Sequence, residues 1–154
     1  MSKNIFLISL IIIGCTIVYL VFFDRRPSNI LKLKLGNKLF NLETATTIPQ
    51  QTIGLMNRTS LPENSGMIFI FNINFTQTFW MKNTLIPLDI IFVTSEGIVT
   101  NIEHALPEAK DDQGNFITYK STTPARYVIE INAGLSDEIG LKPGDKIDLS
   151  TLKL

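Results

Sequence analysis

Residues 79–93 read Phe-Trp-Met-Lys-Asn-Thr-Leu-Ile-Pro-Leu-Asp-Ile-Ile-Phe-Val, and two strand-like halves flank a turn-like centre. Residues 75–82 alternate between two faces, as a half-buried strand does, and Leu88–Val93 is an almost continuous apolar run. The stretch contains the only tryptophan of the chain, and its Lys, Asn, Thr and Asp stand among large apolar residues. It predicts two strands, and we expect any site of the domain to lie here.

Similar short patterns occur on both sides of this stretch. Leu31–Leu35 alternates with lysines, and Gly36-Asn37 fits a two-residue hairpin turn. Thr47–Gln50 reads as a capping box, which predicts a helix that reaches about residue 56. Asn72–Asn74 predicts a turn. Ser136 is expected to cap a single helical turn. About eight short strands and one or two short helices predict a mainly β fold, an antiparallel β-sandwich or barrel-like domain.

The N-terminal segment differs from the rest of the chain. Ile5–Phe23 is apolar without a charge, and a helix of about 19 residues nearly spans the hydrocarbon core of a bilayer. The sequence therefore predicts an N-terminal transmembrane helix. We expect residues 1–26 to form the anchor or signal, residues 27–37 a linker and the first strand, and residues 38–154 a single β-rich domain.

Two features of this segment stay open. Ile12–Cys15 looks like the lipobox of a cleaved lipoprotein signal, although the eight residues after Cys15 remain apolar, which favours an uncleaved anchor. The basic residues, Lys3 before the run and Arg25-Arg26 after it, would by their count keep the domain inside. Because long domains translocate largely regardless of such charges, the count does not settle the orientation.

The composition excludes several classes of function. Lys+Arg and Asp+Glu both total 14 in 154 residues, and a general nucleic-acid binder would carry a basic surplus. The single cysteine lies in the apolar run and cannot form a disulfide within the domain. His104, the only histidine, has no Cys or His neighbour in the sequence, and no phosphate-binding Gly loop occurs. We expect no metal site and no cofactor.

Several motifs occur in one order along the chain. They are Gly54–Arg58, Leu61-Pro62, Gly66–Phe69, Phe79–Asp89, Tyr119, Ser121, Pro124-Ala125, Glu130, Ala133-Gly134 and Gly144-Asp145. Together they resemble the domain-of-unknown-function family number 192 over about residues 38–149. The resemblance implies a compact β-sandwich, often behind a signal or anchor in prokaryotic envelopes. It supplies no established activity, cofactor or catalytic residue.

Trp80 is the first candidate for a ligand contact. The alternation places it on one strand face with Thr76, Thr78 and Lys82, so we expect its ring to be partly exposed. An exposed aromatic ring beside Lys and Asn suits sugars or peptides. In the alternative interpretation, a loop such as residues 107–115 covers the ring and makes it part of the core.

Asp89 is the second candidate, because a carboxylate in an apolar strand needs partners. It could act as a general base or a ligand anchor with a raised pKa. Alternatively, it accepts hydrogen bonds from the backbone of the turn at residues 81–85, or pairs with Lys82 or Arg126.

These residues lead to two main hypotheses and leave the ligand, the reaction and the oligomeric state open. The first is a membrane-tethered, extracytoplasmic binding or accessory module for a glycan or peptide, with its site at Trp80, Lys82, Asn83, Thr84, Asp89 and Tyr119. The alternative is a small envelope hydrolase or lyase that uses Asp89 with Lys82, Tyr119 or Ser121. A purely structural role in an assembly is a third interpretation.

Overall fold

The computed structural model describes residues 29–152, which form eight strands and two short helices. In chain order these are β1 (Ile30–Leu35), β2 (Lys38–Ala45), α1 (Ile48–Ile53), β3 (Ser65–Phe75), β4 (Thr78–Trp80), β5 (Leu88–Val93), β6 (Val99–Ala105), β7 (Thr118–Lys120), β8 (Ala125–Asn132) and α2 (Leu135–Glu138). The prediction of a mainly β fold with one or two short helices is confirmed. The anchor predicted at residues 5–23 lies outside the described residues. No helix between residues 29 and 152 has the length and apolarity needed to cross a membrane.

Six strands form one mixed sheet in the order β1-β2-β3-β8-β5-β6, and β4 and β7 form a separate two-stranded sheet. β2 and β3 are parallel, with Leu42 opposite Gly66, whereas all other neighbours are antiparallel. The expectation of an antiparallel sandwich or barrel is therefore too simple. α1 and the loop after it carry the chain back to the start of β3, and such a crossover connection makes parallel pairing possible.

Alternate residues of the central strands pack on two faces of the large sheet. On the first, here called the C-terminal face, Ile68, Ile91, Ile129 and Ile131 pack against the segment that contains Leu135, Ile139, Leu141 and Ile147. On the second, here called the cleft face, Met67, Phe69, Ile90, Phe92 and Val128 pack against Leu55, Leu61, Met81 and Ile86, with the small sheet beside them. The two faces have separate apolar cores, so a side chain's face decides which residues it can meet.

β3 is longer than the sequence predicts. The turn expected at Asn72–Asn74 is wrong, because β3 continues to Phe75, which lies opposite Ala125 of β8 after a register shift. Residues 72–76 are exposed, so polar residues here mark the solvated end of a strand instead of a break in it. The next strand, β4, is correspondingly limited to residues 78–80.

The capping box at Thr47 is confirmed. The backbone N–H of Gln50 donates to Thr47 Oγ1 at 3.4 Å, and the Thr47 N–H donates to Gln50 Oε1 at 3.1 Å. α1 ends at Ile53, short of residue 56, because Gly54 adopts a positive φ of 49°. Gln51 Nε2 donates to the Ile70 carbonyl at 2.8 Å and so holds α1 beside β3.

Candidate functional site

An open cleft of about 310 Å³ lies on the cleft face, between α1 and β4. α1 contributes Ile48 and Ile53 to one wall, and Thr78–Trp80 of β4 contributes the other. Phe71 and Glu130 lie between these walls on the large sheet. The volume is at the lower end of the range for small-molecule sites, which is roughly 300–1,000 Å³.

Aromatic edge-to-face contacts hold β4 over the sheet. The Phe79 ring lies 4.9 Å from that of Phe69 at 87°, 6.4 Å from that of Phe71 and 6.0 Å from that of Phe92. Rings prefer this perpendicular arrangement because the positive edge of one meets the negative face of another. Phe79 therefore fixes the wall of the cleft, and its two neighbours in β4 remain exposed.

Glu130 is the unusual residue of the cleft. It lies in β8 between Met67 of β3 and Ile90 of β5, and only 5% of it is exposed. Within residues 29–152 its carboxyl group has neither a hydrogen-bond partner nor an ion pair. Burial in this apolar setting raises the pKa of Glu130 from 4.5 to about 8. The carboxyl is therefore mainly protonated at pH 7, and can donate one hydrogen bond and accept others.

Gln77 supplies a second buried polar side chain to the cleft. Its Nε2 donates to the Ala125 carbonyl at 3.2 Å, and its backbone N–H donates to Ser121 Oγ at 3.0 Å. The Ser121 N–H in turn donates to the Gln77 carbonyl at 3.0 Å. Ser121, predicted as part of a possible catalytic set, thus joins the segments that precede β4 and follow β7.

Trp80 lies at the mouth of the cleft with 49% of its surface exposed. Lys82 Nζ lies 5.5 Å from the centre of its ring, and the ring of Phe116 meets it at 6.3 Å and 62°. The segment after residues 107–115 therefore contacts the indole without covering it. The structure agrees with the expectation of a partly exposed ring beside a lysine.

Of the three remaining candidates near Trp80, two form the turn after β4 and one packs in the small sheet. Asn83 has a positive φ of 56°, and its carbonyl accepts from the Asn57 N–H at 2.7 Å. Thr84 is buried, and its N–H donates to the Met81 carbonyl. Tyr119 is half-buried, lies opposite Phe79 in the small sheet and packs against the core of the cleft face. None of the three belongs to the cleft lining.

Asp89 lies on the C-terminal face, since its neighbours Leu88 and Ile90 point to the cleft face. It is fully buried, and its carboxylate accepts from the Gly134 N–H at 3.1 Å, the Ser136 N–H at 2.9 Å and Ser136 Oγ at 2.7 Å. His104 Nδ1 lies 2.7 Å from Asp89 Oδ1. The partners expected from the sequence, Lys82, Arg126 and the turn at residues 81–85, form no hydrogen bond or ion pair with it.

These contacts also explain the helix α2. Ser136 was expected to cap it, but the N-cap is Gly134 with a φ of 84°, and Ser136 lies inside the helix and bonds to Asp89. The hydrogen bond to Asp89 raises the pKa of His104, whose side chain is 55% exposed. Asp89 thus joins β5, β6 and α2.

The structure divides the predicted site residues into two groups on opposite faces of the sheet. Trp80 lines the cleft and Lys82 Nζ lies near its ring, whereas Asp89 belongs to the cluster with His104 and Ser136. Sequence reasoning missed Glu130 as a site residue. The criterion applied to Asp89, a carboxylate within an apolar strand, also fits Glu130, between Ile129 and Ile131.

Comparisons with known proteins agree with this fold. The model of family DUF192, described as an uncharacterized ACR, matches residues 31–149. A solved protein of unknown function from Novosphingobium aromaticivorans DSM 12444 is 38% identical, with a TM-score of 0.64, over 76% of this chain and 81% of its own. A Sinorhizobium meliloti 1021 protein, provisionally described as a transcription regulator, is 32% identical, with a TM-score of 0.69, over 79% of this chain and 92% of its own. No curated protein matches the chain.

Proposed function

Because the chain belongs to DUF192, an uncharacterised family, we propose a function from the contacts of its own residues: it is a binding module that takes a small neutral ligand into the cleft between α1 and β4. The observation that carries the proposal is the buried carboxyl of Glu130, which has no partner within residues 29–152. The carboxyl oxygens are not among the fully buried atoms that lack a partner, so they are open to the cleft. A ligand that enters the cleft can therefore form a hydrogen bond with Glu130, which contributes about 0.5–1.5 kcal/mol.

The lining indicates what kind of ligand fits. A protonated Glu130 offers one donor and one acceptor, which matches an amide or a hydroxyl group and disfavours an anion once Glu130 ionises. The exposed face of Trp80 suits the apolar side of a sugar or the flat face of a peptide group. Short peptides and glycan fragments combine both features, and they are the ligands that we propose.

The placement of this module is also a proposal. Ile5–Phe23 is an uninterrupted apolar run, which supports a single-pass N-terminal anchor with the β-rich domain on the extracytoplasmic side. The provisional description of the Sinorhizobium meliloti protein as a transcription regulator does not suit this chain, because 14 basic and 14 acidic residues leave no basic surplus for binding nucleic acid.

The fluorescence of Trp80, the only tryptophan, tests ligand binding directly. We expect a short peptide or glycan fragment to shift its emission and protect it from acrylamide. Glu130→Leu removes the hydrogen-bonding group and should weaken binding about tenfold, the equivalent of one hydrogen bond. Glu130→Gln keeps a donor and an acceptor and should bind. Glu103→Leu is the matched control, because Glu103 lies in β6, which β5 separates from β8, and is not part of the cleft lining.

The pH dependence of binding gives a second readout. Since the pKa of Glu130 is about 8, affinity of the unmodified protein should fall as the pH rises above that value, and affinity of Glu130→Gln should not. Wild-type affinity in Glu130→Leu would contradict the proposal.

The contacts of Asp89 give no support to the alternative of a hydrolase or lyase. Its hydrogen bonds go to Gly134, Ser136 and His104 on the C-terminal face, and Lys82, Tyr119 and Ser121 are not among its partners. Ser136 Oγ is buried and bonded to the carboxylate, an arrangement that holds α2 in place.

A further inference from the structure

One end of the large sheet collects exposed apolar side chains. At this end, here called the entry end, β2, β3 and β5 finish and β8 begins. The exposed apolar residues at or next to it are Ile30, Ile48, Ile53, Ile73 and Phe75, and Ile48 is the most exposed at 79%. Trp80 adds a half-exposed ring at the mouth of the cleft beside α1. A concentration of exposed apolar residues marks an interaction surface.

The described chain also begins close to this end. The Asn29 carbonyl accepts from the N–H of Thr44, the last residue but one of β2, at 3.1 Å. From there β1 runs away from the entry end, and its hairpin with β2 turns at Gly36-Asn37. Leu39, beside this turn, lies five residues before Thr44 along β2, or about 17 Å away.

The length of the linker limits how far this end can lie from a bilayer. The apolar run ends at Phe23 and the described chain starts at Asn29. Six residues span at most about 20 Å when fully extended. With residues 5–23 in the membrane, the entry end stays within that distance of the bilayer. Arg25 and Arg26, directly after the apolar run, can reach the headgroup layer with their long side chains.

From these observations, and resting on the proposed anchor at residues 5–23, we propose that the entry end docks on the lipid bilayer, with Ile48, Ile53 and Phe75 in contact with lipid. The occupant of this surface is the bilayer itself, because the linker brings it there and apolar side chains gain free energy on leaving water. The mouth of the cleft, with Trp80, then opens at the membrane surface. A ligand of the cleft would reach it along that surface.

Quenching by brominated lipid tests this docking in the full-length chain. The protein is reconstituted in phosphatidylcholine vesicles whose acyl chains carry bromine near the headgroup. In a Trp80→Phe background, Ile48→Trp places the only tryptophan at the entry end, and Leu39→Trp places it at the opposite end. Both positions are exposed, at 79% and 55%, so neither substitution disturbs a core. Ile53→Trp and Leu106→Trp form a second matched pair.

We expect bromine to reduce the emission from positions 48 and 53 at least about twofold, because docked apolar residues enter roughly 5–10 Å into the interface. The emission from positions 39 and 106 should not change. Equal quenching in both members of each pair would overturn the docking. A blue shift at position 48 that depends on protein concentration and not on bromine would instead assign this surface to a second copy of the chain, and would also overturn it.

The same samples separate this proposal from the proposed function. A full-length chain that does not sediment with the vesicles removes the anchor and the docking together. Ligand binding in the cleft, measured by Trp80 fluorescence in the unmodified protein, is independent of both. The experiments can therefore show ligand binding without docking, or docking without ligand binding.

Discussion

Asp89 joins three parts of the fold through one carboxylate, which accepts from two backbone N–H groups and a hydroxyl and contacts His104. Asp89→Asn keeps the shape but replaces an acceptor by an NH₂ group that faces other donors. We expect the free energy of unfolding to fall by about 2–3 kcal/mol, since hydrogen bonds to charged groups are the stronger kind. Urea denaturation at pH 7 measures this.

Asp137→Asn is the matched control for Asp89→Asn. Asp137 lies in α2, next to the Ser136 that binds Asp89; its side chain is 78% exposed, and its Oδ2 is 3.9 Å from His104 Nε2. Exposed ion pairs contribute little to stability, so we expect almost no change. An unchanged stability in Asp89→Asn would show that the cluster does not hold α2 in place, and would make a ligand role for Asp89 tenable.

Glu130 is a buried carboxyl residue like Asp89, but its surroundings differ. Both Asp89 and Glu130 are carboxyl groups in buried strands, but Asp89 has four hydrogen-bonding contacts and Glu130 has none within the described part of the chain. A partner from the protein makes a carboxylate structural, whereas an unpaired carboxyl beside a cleft is available to a ligand. The partners therefore indicate a structural role for Asp89, whereas the ligand role of Glu130 is the one that we propose.

Strand β3 carries the contacts between the two halves of the large sheet, and its glycine shows how closely its neighbours approach. A Cβ added at Gly66 would overlap the carbonyl oxygen of Glu130 and lie 2.9 Å from Leu42 Cδ2. The Glu130 carbonyl belongs to the backbone of β8 and cannot move aside as the end of a flexible side chain can. We expect Gly66→Ala to lower the free energy of unfolding by at least about 2 kcal/mol.

The neighbouring Ser65→Ala is the control for Gly66→Ala, because it changes the same strand by a similar volume without adding an atom. Ser65 is half-buried, and we expect its substitution to change stability by less than about 0.5 kcal/mol. Thermal denaturation of both variants compares them. A Gly66→Ala variant as stable as Ser65→Ala would contradict this expectation. It would mean that β3 and β8 can move slightly apart without loss of stability.

The stability of the whole domain should depend on pH through Glu130. Its pKa rises from 4.5 in the unfolded chain to about 8 on folding, so the unfolded state loses its proton first. The contribution of Glu130 to the free energy of unfolding is fully present below pH 4.5 and is lost as the pH rises to about 8. The free energy of unfolding falls over this range by up to about 1.4 kcal/mol per pH unit. Denaturation in urea at a series of pH values between 4.5 and 9 measures it.

Two variants identify the source of this dependence. Glu130→Gln should remove most of the slope. His104→Gln should remove only a part at higher pH, because the pKa of His104 is raised above 6.5 by Asp89 and its stabilising proton is lost as the pH passes that raised value. A slope between pH 4.5 and 6.5 that persists in Glu130→Gln would exclude Glu130 as its cause.

Periodicity, turns and caps could be predicted because they depend on residues close together in the chain. The alternation of Leu31–Leu35, the turn at Gly36-Asn37 and the capping box at Thr47 follow the sequence, and the confirmed mainly β class follows from them. The exposed ring of Trp80 beside Lys82 was also predictable, because strand alternation alone places both on one side.

Pairings between distant residues could not be predicted in the same way. Only the tertiary structure decides that β2 and β3 are parallel, that Asp89 meets Ser136, and that Glu130 faces a cleft bounded by α1. The sequence by itself determined which side chains share a strand face. The fold determined which element covers each face, because that depends on packing and on hydrogen bonds between residues tens of positions apart.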